Sequence, residues 1–425
     1  MTVSWSDKFN PNPIIQRLQE SRITNGTGHS NFNAFSHKEC VAFLLHTLLF
    51  PSGIPEIERR RILNHATMTL RDDSSLTASK LLEAINRLTD QYIQLPSQSY
   101  VLATSISLPL YSDLPSFSDR QVIVRFTHQP PPQFLRERNA IAGRIRQALF
   151  TDPPTHYLYV LARVSARSLH EATDSALEAI DLQRGIWNWF YNRRHSIRIS
   201  FGSQDPVNKI LLGPIHTLHH PRGKLATDTF WFEPTYRAPV KEHDLENDKE
   251  NIAKFSKYVR KALHKTKYRT DIEGAIIRYV RALDDRDWHA AFLKLWGVLE
   301  CLTSTTKDET YAPTAQRAAY IFAKREYFFQ VMKVLAYHRN QAVHSSASTE
   351  EIETYLYQLK NIVEALFEFH LWNRFQFASL TQACEFLDLP TEQDALATRS
   401  KIARFALEYR GFRPSKRRRT GKYEA

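Results

Sequence analysis

Cysteine is scarce: Cys40, Cys301 and Cys384 are the only three in 425 residues, far apart and with no Cys-x-x-Cys. That excludes a disulfide framework and a cysteine zinc site, and it fits a reducing cytoplasm. Long apolar runs are missing too. No stretch reaches the roughly 18 apolar residues of a membrane span, and Met1-Thr-Val-Ser-Trp-Ser-Asp has no basic segment leading into an apolar core. Neither a transmembrane helix nor a signal peptide is expected. There is no Walker loop, no Gly-x-Gly-x-x-Gly and no Gly-x-Ser-x-Gly. Nucleotide hydrolysis and ordinary serine-hydrolase chemistry therefore have no local support. No internal repeat is visible.

What is present suffices for packed cores: 42% hydrophobic and 12% aromatic residues. The length suggests two or three domains. A net charge of +12 points to a polyanionic partner, nucleic acid first, with a merely basic surface as the alternative.

Residues 1–36 are polar and punctuated by Pro11, Pro13, Gly26 and Gly28, which reads as a loose arm. Helical periodicity follows at 37–50, 55–71 and 76–94, where Leu81, Leu82, Ile85 and Leu88 make one stripe. The period then changes. Tyr100–Leu108, Gln121–Phe126, Tyr157–Val164, Ser196–Phe201, Lys209–Leu218 and Thr229–Phe232 read as strands, interrupted by helices near 134–149 and 168–191. This mixture predicts an α+β domain over 37–245. A charged stretch at 240–251 marks the boundary. From 246 to 410 only helical spacing recurs, which predicts an all-α, up-and-down helical bundle. The basic tail 411–425 is expected to be disordered.

Within the bundle segment lies Arg339-Asn340-Gln341-Ala342-Val343-His344. Arginine can hold a phosphate through fixed N–H donors, and histidine can move a proton near neutral pH. The spacing alone is weak, because Arg60 and His65 repeat it with Arg61 in the amide position. The later copy closes a helix, and Ser348-Thr349-Glu350-Glu351 reads as a capping box for the next one. His344 is expected in the last turn, where helix carbonyls favour a cationic imidazole. On a regular helix Arg339 and His344 stand about 140° apart. Using both in one site requires a break in the helix or two copies of the chain.

The segment Val334-Leu-Ala-Tyr-His-Arg-Asn-Gln-Ala-Val-His-Ser-Ser346 resembles the signature of HEPN (higher eukaryote and prokaryote nucleotide-binding) domains: Arg, a polar residue, spacers, then His, in a helical bundle. The upstream stretch Ala290-Ala-Phe-Leu-Lys-Leu-Trp-Gly-Val-Leu-Glu-Cys-Leu302 is similar to a helix of the Apea-like branch. The resemblance covers about 250–410. It implies a metal-independent endoribonuclease with no cofactor, acting as a toxin or effector of antiviral, anti-phage defence by abortive infection. It also implies a homodimer whose two Arg–His pairs line one cleft. Arg339 would hold the scissile phosphate, His344 would move a proton, and Asn340 would orient one of them. The alternative is a catalytically silent HEPN dimer that binds nucleic acid or serves assembly.

Further candidates flank the motif. Lys257, Arg260, Lys261 and Lys265 lie on a basic helix that could guide RNA through its phosphates, or be a solvated face. Tyr337 and His338 could stack on bases, although Tyr337 also continues the apolar face and reads as core. Glu300 is either a second polar group in the cleft or part of a surface salt bridge. His216, His219 and His220 invite a metal reading, but no third well-spaced ligand is evident, and strand-edge histidines are the better account. The large first domain carries no catalytic motif, which suggests a sensor for a phage-derived or small-molecule trigger.

Overall fold

The structure, a computed structural model, describes residues 2–24, 30–73, 75–149, 154–195, 205–234, 236, 241–304, 311–345 and 351–412. The chain divides into two units, Met1–Asp181 with Ile210–Asn247, and Leu182–Lys209 with Asp248–Ala425.

The first unit opens with β1 (Ser4–Trp5), α1 (Asn12–Glu20), β2 (Arg22–Thr24), β3 (Ser30–Phe32), α2 (Ala34–His46), β4 (Leu48–Leu49), α3 (Glu56–Thr69) and α4 (Ala78–Gln94). The expected loose arm is in fact built in. Val3, Ile15, Leu18 and Phe32 are buried in one cluster with Leu44, Leu63, Leu81 and Ile85. The prolines read as loop punctuation instead start α1, because proline is tolerated in a first helical turn, where its missing N–H has no partner to lose. Asn33 caps α2 by accepting from the Phe35 and Ser36 N–H groups.

A sheet follows, made of β5 (Gln98–Pro109), β6 (Phe117–Asp119), β7 (Val122–Thr127), β8 (Tyr157–Ala166), β9 (Ile215–His219) and β10 (Leu225–Phe232), with α5 (Pro132–Leu149) and α6 (Leu169–Asn192) between strands. Its order is β10-β9-β5-β8-β7-β6, antiparallel at every pairing. The central β5 is buried from Tyr100 to Pro109, so both of its faces are covered. On one face Val101, Ala103 and Leu161 pack with Phe134 of α5. The strand expected from Lys209 starts only at Ile215: before it, Leu211 gives its N–H to the Ser107 hydroxyl, and Pro214 has none to give. The expected strand at 196–201 lies outside the described residues.

The second unit contains α7 (Lys249–Lys265), α8 (Arg269–Leu283), α9 (Trp288–Thr303), α10 (Tyr311–Tyr320), α11 (Arg325–Ser345), α12 (Ile352–Trp372), α13 (Leu380–Leu387) and α14 (Gln393–Tyr409). Among the described residues it is helical, without strands. The α9 helix is the hub, in contact with α8, α10, α11, α12 and α13. Asp287 caps its start, and Phe292, Leu295, Trp296 and Leu299 are buried to within 1%. Each such side chain contributes about 1.5–3 kcal/mol of burial. The tail from 413 lies outside the described residues.

The units change over between Asn247 and Asp248. The helical unit also takes Leu182–Lys209, hence the second half of α6. A buried polar network explains why. Lys360 Nζ, fully buried on α12, donates to the Asn192 carbonyl at 2.7 Å and lies 3.2 Å from Glu364 Oε2. Tyr279 donates its hydroxyl to Glu364 at 2.5 Å and accepts from Asn192 Nδ2 at 3.0 Å. Asn192 Nδ2 also reaches Asn208 Oδ1, and Asn208 Nδ2 donates to Asp284 at 2.8 Å. Arg184, with no exposed side-chain surface, closes the chain with a two-pronged pairing to Asp284. Gly185 lets α6 approach α8, since a Cβ there would lie 2.6 Å from Ile276 Cγ2.

Burial pulls the Lys360 ammonium down in pKa and pushes the Glu364 carboxyl up, and their mutual attraction opposes both shifts. Removing one partner strands the other. Lys360→Met alone or Glu364→Leu alone is expected to cost about 3–5 kcal/mol, and the double replacement distinctly less than the sum. Urea denaturation of the four proteins measures this, and additive losses would contradict the pairing.

His370 on α12 makes a second tie. Its Nε2 donates to the Leu302 carbonyl at 3.0 Å, and its Nδ1 accepts the Tyr268 hydroxyl at 3.0 Å. Both roles suit a neutral ring, and burial pushes its pKa from 6.5 down to about 4. The unfolded chain takes up a proton between those values that the folded chain refuses. The stabilisation is full above about pH 6.5 and declines by up to roughly 3 kcal/mol as pH falls toward 4. Chemical denaturation across that window should show this slope, and His370→Gln should flatten it.

Candidate functional site

The motif sits at the end of α11, where the core face is set by Met332, Leu335 and His338 at helical spacing. Here the sequence reading is reversed. His338 is buried and Tyr337, expected as core, is 64% exposed. The His338 ring lies 5.1 Å from Phe292 and 4.9 Å from Tyr355 between ring centroids, with His289 at 6.0 Å. It is not presented for stacking on a base. Burial, then His289, lowers its pKa, so it is held neutral, and its Nε2 is enclosed without a hydrogen-bond partner. His289 and Tyr355 are neighbours of the motif that no local sequence signal marked. The core position of His338 was legible, because it extends the Met332 and Leu335 stripe.

The helix runs without a break through Ser345. That removes one of the two ways to bring Arg339 and His344 together in a single chain. At 100° per residue, Tyr337, Asn340 and Gln341 fall within one arc, and Arg339 falls on the side of Leu335 and Met332. Gln341 is exposed, and Arg339 and Asn340 are both half-buried. The Arg339 Nη1 donates to Asn340 Oδ1 at 3.3 Å, and Gln341 Nε2 donates to the Tyr337 hydroxyl at 2.7 Å. The His344 side chain and the expected capping box at 348–351, apart from Glu351, lie outside the described residues. Arg60 and His65 of the other spacing match are both exposed on α3.

Comparison with protein-family models, with curated proteins and with solved structures gives no match. The functional reading therefore rests on the residues and their placement.

On α7, Lys257, Lys261 and Lys265 follow one another at i, i+4 and i+8 on the exposed face, and none has an acidic partner among the described residues. Arg260 is corrected: its guanidinium is turned to Gln183 Oε1, at 2.6 and 3.0 Å, and serves the helical unit instead of an open face. Glu300 accepts the Trp296 indole N–H at 2.8 Å.

In the first unit the histidine run is absorbed by the sheet. His216 lies between Thr104 Oγ1 at 2.6 Å and Glu233 at 2.8 Å. His219 lies between Thr217 Oγ1 and the Gly223 carbonyl, both at 2.8 Å. His220 stacks on Tyr100. Among the described residues no group of three or more His, Cys, Asp or Glu is placed to hold a metal, and no helix is long and apolar enough to cross a membrane.

Since His338 Nε2 is buried without a partner, an apolar ring should replace it at little cost. His338→Phe is expected to hold its thermal midpoint within a few degrees or raise it. A loss above about 2 kcal/mol would mean that the ring holds a partner in solution.

Proposed function

We propose that this chain is a metal-independent endoribonuclease of the HEPN type, with an up-and-down bundle and a catalytic cleft shared by two copies. The observation that carries the reading is the uninterrupted α11. Residues five apart on such a helix stand about 140° from one another, so Arg339 and His344 of one chain do not share a face and a second copy is the natural source of a facing arginine. In that cleft Arg339 of one copy holds the scissile phosphate and stabilises charge developing on its oxygens. His344 moves a proton as the RNA 2′-hydroxyl attacks phosphorus and the 5′-oxygen departs. The products are a 2′,3′-cyclic phosphate and a 5′-hydroxyl. The exposed Tyr337 is placed to stack on a base, and Lys257, Lys261 and Lys265 offer phosphate contacts elsewhere on the bundle.

The first unit contributes none of these residues. In this reading it senses a phage-derived or small-molecule trigger, and the whole chain acts in the cytoplasm as a toxin or abortive-infection effector. A second reading, a silent dimer that binds nucleic acid, is favoured by the unpaired lysine face of α7.

Incubation with labelled RNA separates the two. The wild-type chain should cut RNA in the presence of EDTA, and Arg339→Ala and His344→Ala should each lower the rate by about 100-fold or more. Mixing the two variants should restore part of the activity, because a mixed dimer keeps one arginine and one histidine in the same cleft. Identical RNA patterns from wild type and both variants would sink catalysis through this pair.

A further inference from the structure

A second site on the helical unit stands apart from the motif. A cavity of about 320 Å³ opens between the C-terminal half of α7 and the end of α12 with the turn that follows it. It is lined by Tyr258, Lys261 and Lys265 of α7 and by Trp372 and Phe377, with Gln376 at the turn. No carboxylate lines it. The Tyr258 and Trp372 rings stack at 4.8 Å and 14°, and Trp372 stacks in turn near the fully buried Trp189 at 5.7 Å, so the aromatic wall is anchored in the core. Tyr258 is nonetheless 54% exposed.

Two features of the site are costly to the fold. Lys261 and Lys265 repel one another at i and i+4, by a few tenths of a kcal/mol, with no acid to offset it. Gln376 is held at φ +50, a region unfavourable for a residue with a Cβ. The neighbouring cations differ, since Lys254 pairs with Glu250 and Arg269 with Glu273. Of the interior polar groups at the cavity, His370 has a partner on each ring nitrogen and Thr266 donates to the Ala262 carbonyl, whereas the buried Trp372 indole N–H has no hydrogen-bond partner among the described residues. What faces a ligand is two ammoniums, an aromatic wall and one flexible amide.

We infer that this cavity binds a nucleoside phosphate, its base against the Tyr258–Trp372–Phe377 wall and its phosphate on Lys261 and Lys265. The volume lies in the range of small-ligand pockets and matches a single nucleotide. The ligand is either a free mononucleotide or the unpaired terminal nucleotide of an RNA, which share that chemistry. The site is separate from the motif. Tyr355 of α12 touches His338, and Trp372 lies 17 residues further along the same helix, a distance of roughly 25 Å. The inference thus stands whether or not Arg339 and His344 cleave RNA.

Calorimetric titration of the full chain with AMP, CMP, GMP and UMP, and with a short 5′-phosphorylated RNA on the His344→Ala background, tests it. At least one of these probes should bind saturably below about 1 mM. Lys261→Glu with Lys265→Glu should weaken it by about tenfold or more, whereas Lys254→Ala, on the same helix outside the cavity, should change it by less than about threefold. Mononucleotide binding assigns a free ligand, and binding of the phosphorylated RNA alone assigns a terminus. Adenosine and inorganic phosphate should each bind much more weakly than the nucleotide. No binding by any probe, equal binding by phosphate alone, or indifference to the double charge reversal would overturn the site. Nucleotide binding unchanged in Arg339→Ala, with RNA cleavage lost, keeps the two proposals distinguishable, and unchanged thermal midpoints in the surface lysine variants exclude misfolding as the cause of lost binding.

Discussion

The helical unit depends on one buried ion pair, Lys360 with Glu364, and on the fact that neither member can be left alone. Burying an ammonium and a carboxylate costs several kcal/mol each, and only a complete set of partners offsets it. The Asn192 carbonyl, the Tyr279 hydroxyl and the Asn208 amide complete the set, and Arg184 with Asp284 extends it. These partners come from α6, the segment after it, α8 and α12. An apolar core tolerates small slides of one helix past another; a directional network does not. The network therefore fixes which residues of α6 belong to the helical unit, and with them the register of α12.

That register has consequences at both ends of α12. Near its start, Tyr355 closes over His338 and turns the buried face of α11 inward. Tyr337, Asn340 and Gln341 are left on the outside. At the other end, Trp372 stacks between Trp189 and Tyr258, and the cavity beside Lys261 and Lys265 opens against it. One helix thus packs against α11 near the Arg339–His344 motif at one end and lines a basic aromatic cavity at the other. His370 ties the second end to α9 through the Leu302 carbonyl, and the low pKa of that ring makes the tie sensitive to acid.

Much of the secondary structure was legible from periodicity. The strands β5, β7 and β8 begin within a few residues of their expected positions, and the described residues after 246 are helical, as their spacing predicts. The errors share a cause. The first 36 residues read as an arm because their apolar residues are few, and yet Ile15, Leu18 and Phe32 are buried against helices far along the chain. Arg260 read as an open cation, and it is occupied by Gln183, 77 residues away. Tyr337 read as core, as a continuation of the apolar face, but the buried stripe runs through Met332, Leu335 and His338 and leaves Tyr337 outside.

The sequence by itself determined the element types, the helical character after residue 246, and the order Arg339, Asn340, His344 with its inability to converge on one regular helix. Those follow from local periodicity and fixed helical angles, which a chain carries at every point. Tertiary structure decided what each polar residue is for. Lys360 and Lys261 are both lysines on amphipathic helices, but one is sealed against Glu364 and the other faces an open cavity. Burial and the Asn192 carbonyl, 168 residues away, make that difference, and the local i, i+4 spacing to Glu364 does not encode either.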